Sequence, residues 1–188
     1  MRNKVTITGI ITDKWYIESK RMSGVIDKIP YRIHYSKVDE LNLPELISSA
    51  TRVKVTGVLA TSMKDGHKST FIYIEDIEPA PEHDINLVEI EGYICKKDAI
   101  RVTPAGKQIT EYIVAYNCED SPRSFYPSCI AWGSSAKVME HQYCVGDKVL
   151  LIGRFQSREY LKKYEDGVEE IKTAYEISTL KIYREYGE

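Results

Sequence analysis

Aromatic and small side chains alternate in a stretch of the chain around residue 130. Successive side chains of a β-strand point to opposite faces, so Cys129 and Ala131 would share a face small enough for a barrel interior. The other face would carry Tyr126, Ser128, Ile130 and Trp132. Two flat rings on the outside of a barrel would be poorly placed without a ligand, so this face is a candidate binding surface.

A second stretch, residues 151–160, alternates apolar and cationic side chains. One face would carry Leu151, Gly153, Phe155 and Ser157 into the interior. The outward face would carry Arg154, Gln156, Arg158 and Tyr160. Bases stack on aromatic rings while guanidinium groups hold phosphates, so the two outward rows together suit a single-stranded nucleic acid. A solvated strand face with cross-strand aromatic pairs would give the same pattern, and both interpretations remain open at this point.

An internal repeat indicates which elements position these rows. Residues 3–11 match residues 86–94 at five alternating positions, all at an offset of 83. Residues 53–59 match 149–155 at an offset of 96, and Ile74 and Ile77 match Ile177 and Leu180 at 103. The growing offset predicts two copies of one domain, the second with insertions. The predicted limits are 1–79 and 86–186, with a proline-containing linker at 80–85.

Each copy is predicted to be rich in β-structure. Period-two patterns predict strands near residues 5–10 and 88–93, and again near 52–57 and 148–153. A helix-like stretch lies between the third and fourth strands of each copy, at 38–47 and 134–141. Five strands with one helix in that place is the order of an OB-fold, a small Greek-key barrel. We therefore predict an all-β chain of two tandem OB-folds, with two unrelated small β domains as the alternative.

Composition limits the classes of function. The 188 residues carry a net charge of −2, which argues against a strongly basic binder of duplex DNA. Charge is unevenly distributed, however, because residues 96–163 hold eleven Lys and Arg against seven Asp and Glu. A local basic surface on an acidic chain is therefore expected.

Other site classes find little support in the sequence. The chain has no apolar run long enough for a membrane span or signal peptide, so we expect a cytoplasmic protein without membrane association. Its four cysteines contain no C-x-x-C and its four histidines are scattered, so no metal or other cofactor is predicted. No nucleophile stands beside a base in a helpful local context, and we predict that the chain is not an enzyme.

The second copy resembles the bacterial single-stranded DNA-binding protein family. The matching tracts are 87–92, 101–107, 113–115, 126–133 with Ala136, 145–149 and 153–160. Together they span a little over half the chain. The resemblance implies an OB-fold that wraps single-stranded DNA with little sequence preference, in replication, recombination or repair. The two-copy chain is also similar to two-OB-fold members of that family.

The resemblance also implies roles for individual residues. Tyr126, Trp132 and Tyr160 fall where the family places stacking aromatics, and Arg154 and Arg158 fall on its basic strand. The hairpin at 161–171 takes the place of the family's DNA-contacting loop. The remaining predicted DNA-binding residues are Gln156, Arg123, Lys107, Arg101, Ser128 and Lys162, with Tyr35 and Arg32 from the first copy.

The first copy departs from the family pattern. Aligning Pro30 with Pro127 places Tyr35 opposite Trp132 but leaves no ring opposite Tyr126. Other side chains of the first copy could compensate, namely Trp15, Tyr16 and Tyr31, with Lys28 beside them. Equally, the first copy could serve mainly in packing and oligomerisation.

Partners are predicted from the same comparison. The family commonly gathers four OB-folds, so a chain with two suggests a homodimer. The family's acidic tail has no counterpart after residue 181, so tail-mediated recruitment of other proteins is not expected. One rival function is a protein-interaction module, such as a primosome-like accessory factor. Another is a subunit of an enzyme whose active site lies on a different chain.

Overall fold

The computed structural model describes residues 2–18, 21–34, 36–64, 66–117, 123–164 and 167–185, and strands dominate them. The strands of the first copy are β1 (Asn3–Glu18), β2 (Arg21–Ile26), β3 (Ile29–His34), β4 (Arg52–Lys64) and β5 (His67–Pro79). Those of the second are β6 (Asn86–Lys97), β7 (Arg101–Val102), β8 (Gln108–Asn117), β9 (Ser124–Phe125), β10 (Ser128–Trp132), β11 (Lys148–Lys163) and β12 (Glu169–Arg184). The helices are α1 (Ser36–Glu40), α2 (Leu43–Ser48) and α3 (Ser134–Gln142). The prediction of an all-β chain is confirmed.

Each copy closes into a five-stranded barrel with the same connectivity. In the N-terminal copy the strands pair in the order β1-β2-β3-β5-β4 and return to β1. In the C-terminal copy the order is β6-β8-β10-β12-β11 and back to β6. The third and fifth strands of each barrel are parallel, and all other neighbours are antiparallel. This is the Greek-key order of the predicted OB-fold.

Glycines allow the long strands to bend as the barrels close. The ladder between β4 and β5 shifts register beside Gly57, and that between β11 and β12 shifts beside Gly153. A Cβ atom at Gly57 would collide with the backbone carbonyl of Tyr73. Both glycines therefore lie where the strands bend to close the barrels.

The helix predicted at 38–47 is in fact two short helices. Pro44 explains the break, because a proline lacks the N–H that a helix interior needs and disfavours helical backbone before it. Asn42 turns the chain with a left-handed φ of 49°, and α2 restarts with Pro44 in its first turn. The helix predicted at 134–141 is confirmed as α3.

The two copies share one continuous sheet through their first strands. β1 and β6 pair antiparallel, with Asn3 opposite Ile90, Val5 opposite Val88 and Ile7 opposite Asn86. Because each of these residues has its repeat 83 positions away, the register is symmetric about the Val5–Val88 pair. An approximate twofold axis therefore relates the copies there. The pairing covers the β1 and β6 edges within one chain.

Strand pairing also corrects the alignment of the last strands of the two copies. Gly57 pairs with Ile74, whereas its repeat Gly153 pairs with Thr179. Ile74 therefore corresponds to Thr179, and the match of Ile74 to Ile177 is wrong by two residues. A slip of two keeps every side chain on its own face, so the apolar pattern alone could not detect it.

A second correction concerns the strand that carries the aromatic residues. Tyr31 pairs with Ile72 and Cys129 pairs with Ile177, and the corrected alignment makes these two pairs equivalent. Tyr31 therefore corresponds to Cys129. Three residues further on, His34 corresponds to Trp132, and the alignment of the two prolines was one residue off.

In the described part of the chain, no helix is long and apolar enough to cross a membrane.

Candidate functional site

A cavity of about 1160 Å³ lies on the C-terminal barrel at the outward faces of β8, β10, β11 and β12. Further lining residues come from the turn between β7 and β8 and from β5 of the N-terminal copy. Its lining cations are Lys68, Lys96, Arg101, Lys107, Arg158 and Lys163, and its lining carboxylates are Asp98, Glu111 and Glu176. Cations therefore outnumber carboxylates, and the cavity attracts anions.

Trp132 and Tyr160, two of the four aromatic residues that line this cavity, are those that were predicted to stack bases. Trp132, at the end of β10, is half-buried, and Tyr160 on β11 is 38% exposed. Both residues line the cavity together with Ser128. The guanidinium carbon of Arg158 lies 5.7 Å from the centre of the Tyr160 ring. The inward residues behind them are buried, as predicted, with Cys129 at 1% and Phe155 at 0% exposed.

A chain of ion pairs holds the cavity's two arginines. Arg158 Nε lies 2.7 Å from Glu176 Oε1, and its Nη2 lies 3.1 Å from Glu176 Oε2. The same Nη2 is 3.4 Å from Glu111 Oε1, and Arg101 Nη2 is 2.8 Å from Glu111 Oε2. The hydrogen bond to buried Glu176 raises the pKa of Arg158. The network fixes the guanidinium beside Tyr160, and a bound phosphate would share these arginines with carboxylates.

Sequence reasoning missed the two carboxylates. The signal was available, because Glu111 and Glu176 lie on the outward faces of β8 and β12. Glu176 is only 4% exposed, and a carboxylate that is almost fully buried needs partners. The outward charged row of β11 supplies them.

The other predicted residues divide between the cavity and its surroundings. Arg101 and Lys107 line the cavity, and Lys107 with Trp132 also lines a neighbouring depression of about 610 Å³. Residues on the same barrel but outside the cavity wall are Tyr126, Arg123, Arg154, Gln156 and Lys162. Gln156 donates to Glu176 Oε1 at 3.2 Å, and Lys162 lies 4.8 Å from the Tyr164 ring centre. Tyr126, 46% exposed, lies beside the cavity next to Ser128.

Among the described residues, those predicted for binding in the first copy do not form a comparable surface. Tyr35 lies outside the described residues, as do the side chains of Trp15 and Tyr16. Tyr31 is 2% exposed and belongs to the barrel core, so the suggestion that it stacks a base is wrong. Arg32 lies 3.9 Å above the centre of the buried Phe71 ring, so its guanidinium packs on the first copy itself.

The equivalent positions show how far the outward faces differ. With Gly57 equivalent to Gly153, the row Arg154, Gln156, Arg158 and Tyr160 corresponds to Val58, Ala60, Ser62 and Lys64. The cationic and aromatic pattern of β11 is therefore absent from β4. Trp132 is replaced by His34 and Tyr126 by Lys28.

The first copy nevertheless reaches the second copy's binding strand. Lys68 Nζ, on β5, donates to the backbone carbonyl of Tyr126 at 3.2 Å and to Ser128 Oγ at 2.6 Å. Thr61 Oγ1, on β4, accepts from the backbone N–H of Tyr126 at 3.0 Å. Partial burial lowers the pKa of Lys68. Sequence reasoning missed these contacts because they join residues about sixty positions apart and depend on how the copies pack.

Nothing in the described residues suggests a metal centre or a nucleophile. No group of three His, Cys, Asp or Glu side chains there could hold a metal ion. Burial raises the pKa of Cys129 to about 12, so this thiol is not a ready nucleophile.

Comparison with known proteins identifies the C-terminal copy. The model of the single-strand binding protein family matches residues 85–183, which is more than half of the chain. A search of curated protein sequences finds no match.

Solved structures extend the similarity to the whole chain. Wild-type single-stranded DNA binding protein from Thermus aquaticus superposes with a TM-score of 0.73 and 16% identity, covering 100% of this chain and 94% of that one. A deletion mutant of the same protein gives 0.71 and 17%, with 100% and 96% covered. The priB protein from Ralstonia solanacearum gives only 0.40 at 15% identity, with 54% and 99% covered. The Thermus structures show that the two-barrel fold is shared.

Proposed function

We propose, from the premise that the chain belongs to the single-strand binding protein family, that its C-terminal barrel binds single-stranded DNA with little sequence preference. The family consists of DNA-binding proteins and not of enzymes. In the proposal, bases stack on Trp132 and Tyr160 inside the cavity and on Tyr126 beside it. Every base has a flat face, so stacking tolerates any sequence.

The observation that carries this proposal is one cavity lined by Trp132 and Tyr160 together with an excess of cations. Stacking needs exposed rings beside a path for phosphates, and this wall supplies both. The cations proposed to contact phosphates are Arg101, Lys107, Arg123, Arg154, Arg158 and Lys162, with Gln156 and Ser128 as neutral contacts. Arg32 and Tyr35 of the first copy are the weakest members of the proposed set, because Arg32 already packs on Phe71.

The biological setting is proposed at the level of the family. Sequence-tolerant coating of single strands serves replication, recombination and repair in the cytoplasm. For this role we treat residues 1–79 and 86–186 as the two domains and 80–85 as the linker. The shared connectivity of the two barrels favours two copies of one domain over the alternative of two unrelated small β domains.

We also propose a homodimer that brings together four barrels. The β1 and β6 edges are already paired, so a partner would cover apolar side chains on the strand faces instead. Exposed candidates there are Leu87, Tyr93 and Leu180. Sedimentation should give twice the chain mass of 21.6 kDa at micromolar concentration. A clean monomer would exclude the dimer without touching the DNA-binding proposal.

Binding of labelled oligo-dT, followed by fluorescence anisotropy, tests the proposed function. Trp132→Ala should weaken binding about 5- to 150-fold, since a base stacked on an aromatic contributes roughly 1–3 kcal/mol. Tyr183→Ala is the matched control, because it removes a ring that is 47% exposed and outside the cavity. Circular dichroism should show that both variants keep the barrel.

The opposite result would redirect the functional assignment. If Trp132→Ala bound oligo-dT as the unmodified chain does, the cavity would not be a stacking site. If the unmodified chain did not bind at all, a protein-interaction module would become the better interpretation.

A further inference from the structure

The hairpin formed by β4 and β5 belongs to the first copy but ends on the second. Thr61 accepts a hydrogen bond from the Tyr126 backbone, and Lys68 donates to the Tyr126 carbonyl and to Ser128 Oγ. Ser128 lines the cavity together with Lys68 itself. The N-terminal copy thus contributes directly to the wall of a cavity that otherwise belongs to the C-terminal barrel.

Lys68 differs from the cavity's arginines in what surrounds it. Arg158 and Arg101 are paired with Glu176 and Glu111. The hydrogen-bond partners of Lys68 in the described part of the chain are two neutral oxygens, which occupy two of the three N–H donors of its ammonium group. One donor therefore remains for another acceptor at the cavity wall.

The electrostatics favour an anion as that acceptor. Loss of solvation is the largest influence on the Lys68 ammonium, and it lowers the pKa of this group. The neighbouring charge of Lys96 acts in the same direction. A cation that has lost water and gained only neutral partners is stabilised strongly by a nearby negative charge.

We propose that Lys68 is a DNA-binding residue of the C-terminal cavity, contributed by the N-terminal copy and contacting a phosphate of the bound strand. Two of its N–H groups hold the segment from Tyr126 to Ser128 in place, and the third reaches the phosphate. The binding surface is then a composite of both copies. This inference rests on the proposed function, because it requires a strand in the cavity.

Salt dependence of oligo-dT binding separates a phosphate contact from a purely structural one. Each phosphate contact on a single strand contributes roughly −0.7 to the slope of log affinity against log salt. Lys68→Met should weaken binding about 3- to 10-fold at low salt and make the slope shallower by about 0.7. Lys137→Met is the matched control, since Lys137 is exposed on α3 outside the cavity, and it should change neither quantity.

Two further variants distinguish the loss of a phosphate contact from a folding defect. Lys68→Arg keeps the charge and should retain the slope of the unmodified chain. Thr61→Val removes the neighbouring hydrogen bond but no charge, so it should weaken binding, if at all, without changing the slope. Thermal unfolding should show that the variants compared are equally folded.

The outcomes are distinguishable from failure of the proposed function. If the unmodified chain binds oligo-dT and Trp132→Ala weakens it, but Lys68→Met leaves the slope unchanged, the Lys68 inference alone is wrong. A slope that falls equally in Lys68→Met and Lys137→Met would also overturn it. If the unmodified chain shows no binding, the function proposed for the cavity fails first.

Discussion

The two barrels have similar interiors and different outward faces. In the second copy a large ring, Tyr112, lies across from the small Cys129, whereas in the first copy Gly24 lies across from Tyr31. A Cβ atom at Gly24 would come within 2.6 Å of the Tyr31 hydroxyl oxygen. Each barrel thus pairs one tyrosine with one small residue at this place, and the tyrosine comes from opposite strands in the two copies.

The outward faces show no such compensation. The row with Arg154 and Arg158 in the second copy corresponds to Val58 and Ser62 in the first. Likewise, the outward position of Glu176 is occupied by Phe71, which is buried beneath Arg32. Packing therefore constrains the interior of a duplicated barrel, while the outer face is free to keep or lose a binding surface.

Because the two interiors are similar, replacing a large core residue by alanine should lower the free energy of unfolding by a comparable amount in either copy. Phe155 and its equivalent Leu59 are both 0% exposed. Phe155→Ala should lower the free energy of unfolding by about 3–5 kcal/mol and Leu59→Ala by about 2–5 kcal/mol, because each leaves a cavity. Denaturant unfolding measures both. A loss below about 1 kcal/mol at either site would mean that the two interiors are not equivalent.

Because the outward faces differ, most of the salt dependence of DNA binding should come from cations of the second copy. About six phosphate contacts on a single strand should give a log–log slope near −4 for oligo-dT affinity. Raising salt from 50 to 200 mM would then weaken binding by about two orders of magnitude. Anisotropy titrations at several salt concentrations give the slope. A value near zero would show that charge does not hold the strand.

A reciprocal exchange of one residue tests the difference between the two outward faces. Arg154→Val gives the second copy the residue of the first, and should make the salt slope shallower by about 0.7. Val58→Arg makes the reverse change in the first copy, where the next outward residues of β4, Ala60 and Ser62, carry no charge. That variant should leave oligo-dT binding unchanged. A gain in affinity from Val58→Arg would show that the first copy's face also contacts the strand.

The smallest predicted difference between the copies concerns their contribution to stability at acidic pH. Asp147 accepts a backbone hydrogen bond from Cys144 at 2.8 Å and pairs with Arg184 at 2.6 Å, and these contacts lower the pKa of its carboxyl. Its counterpart in the first copy is Thr51, which does not titrate. A lowered pKa in the folded state stabilises the protein above the unfolded pKa, and that contribution disappears as pH falls through the folded value.

Thermal unfolding at a series of acidic pH values measures this contribution. Asp147→Asn should lose about 0.5–1 kcal/mol at neutral pH and show a smaller further loss on acidification than the unmodified chain. Parallel curves for the two proteins below pH 5 would show that Asp147 does not account for the acid sensitivity.

Much of the fold followed from period-two patterning, and the errors have physical causes. Alternation placed Phe155 inward and Arg154 outward, as the structure has them. The same periodicity could not detect a slip of two residues in the last strand, and a shared proline misled the alignment of Tyr35 with Trp132. The site was predicted only in part, because Glu176 and Lys68 act through partners distant in sequence.

We claim that bases stack on the second copy, and the emission of Trp132 reports such stacking. The chain has two tryptophans, so Trp15→Phe leaves Trp132 as the single reporter. Addition of oligo-dT should quench the emission of that variant to saturation, at the concentrations where anisotropy reports binding. Emission that stays unchanged while anisotropy shows a bound strand would contradict the claim, because the strand would then bind elsewhere on the molecule.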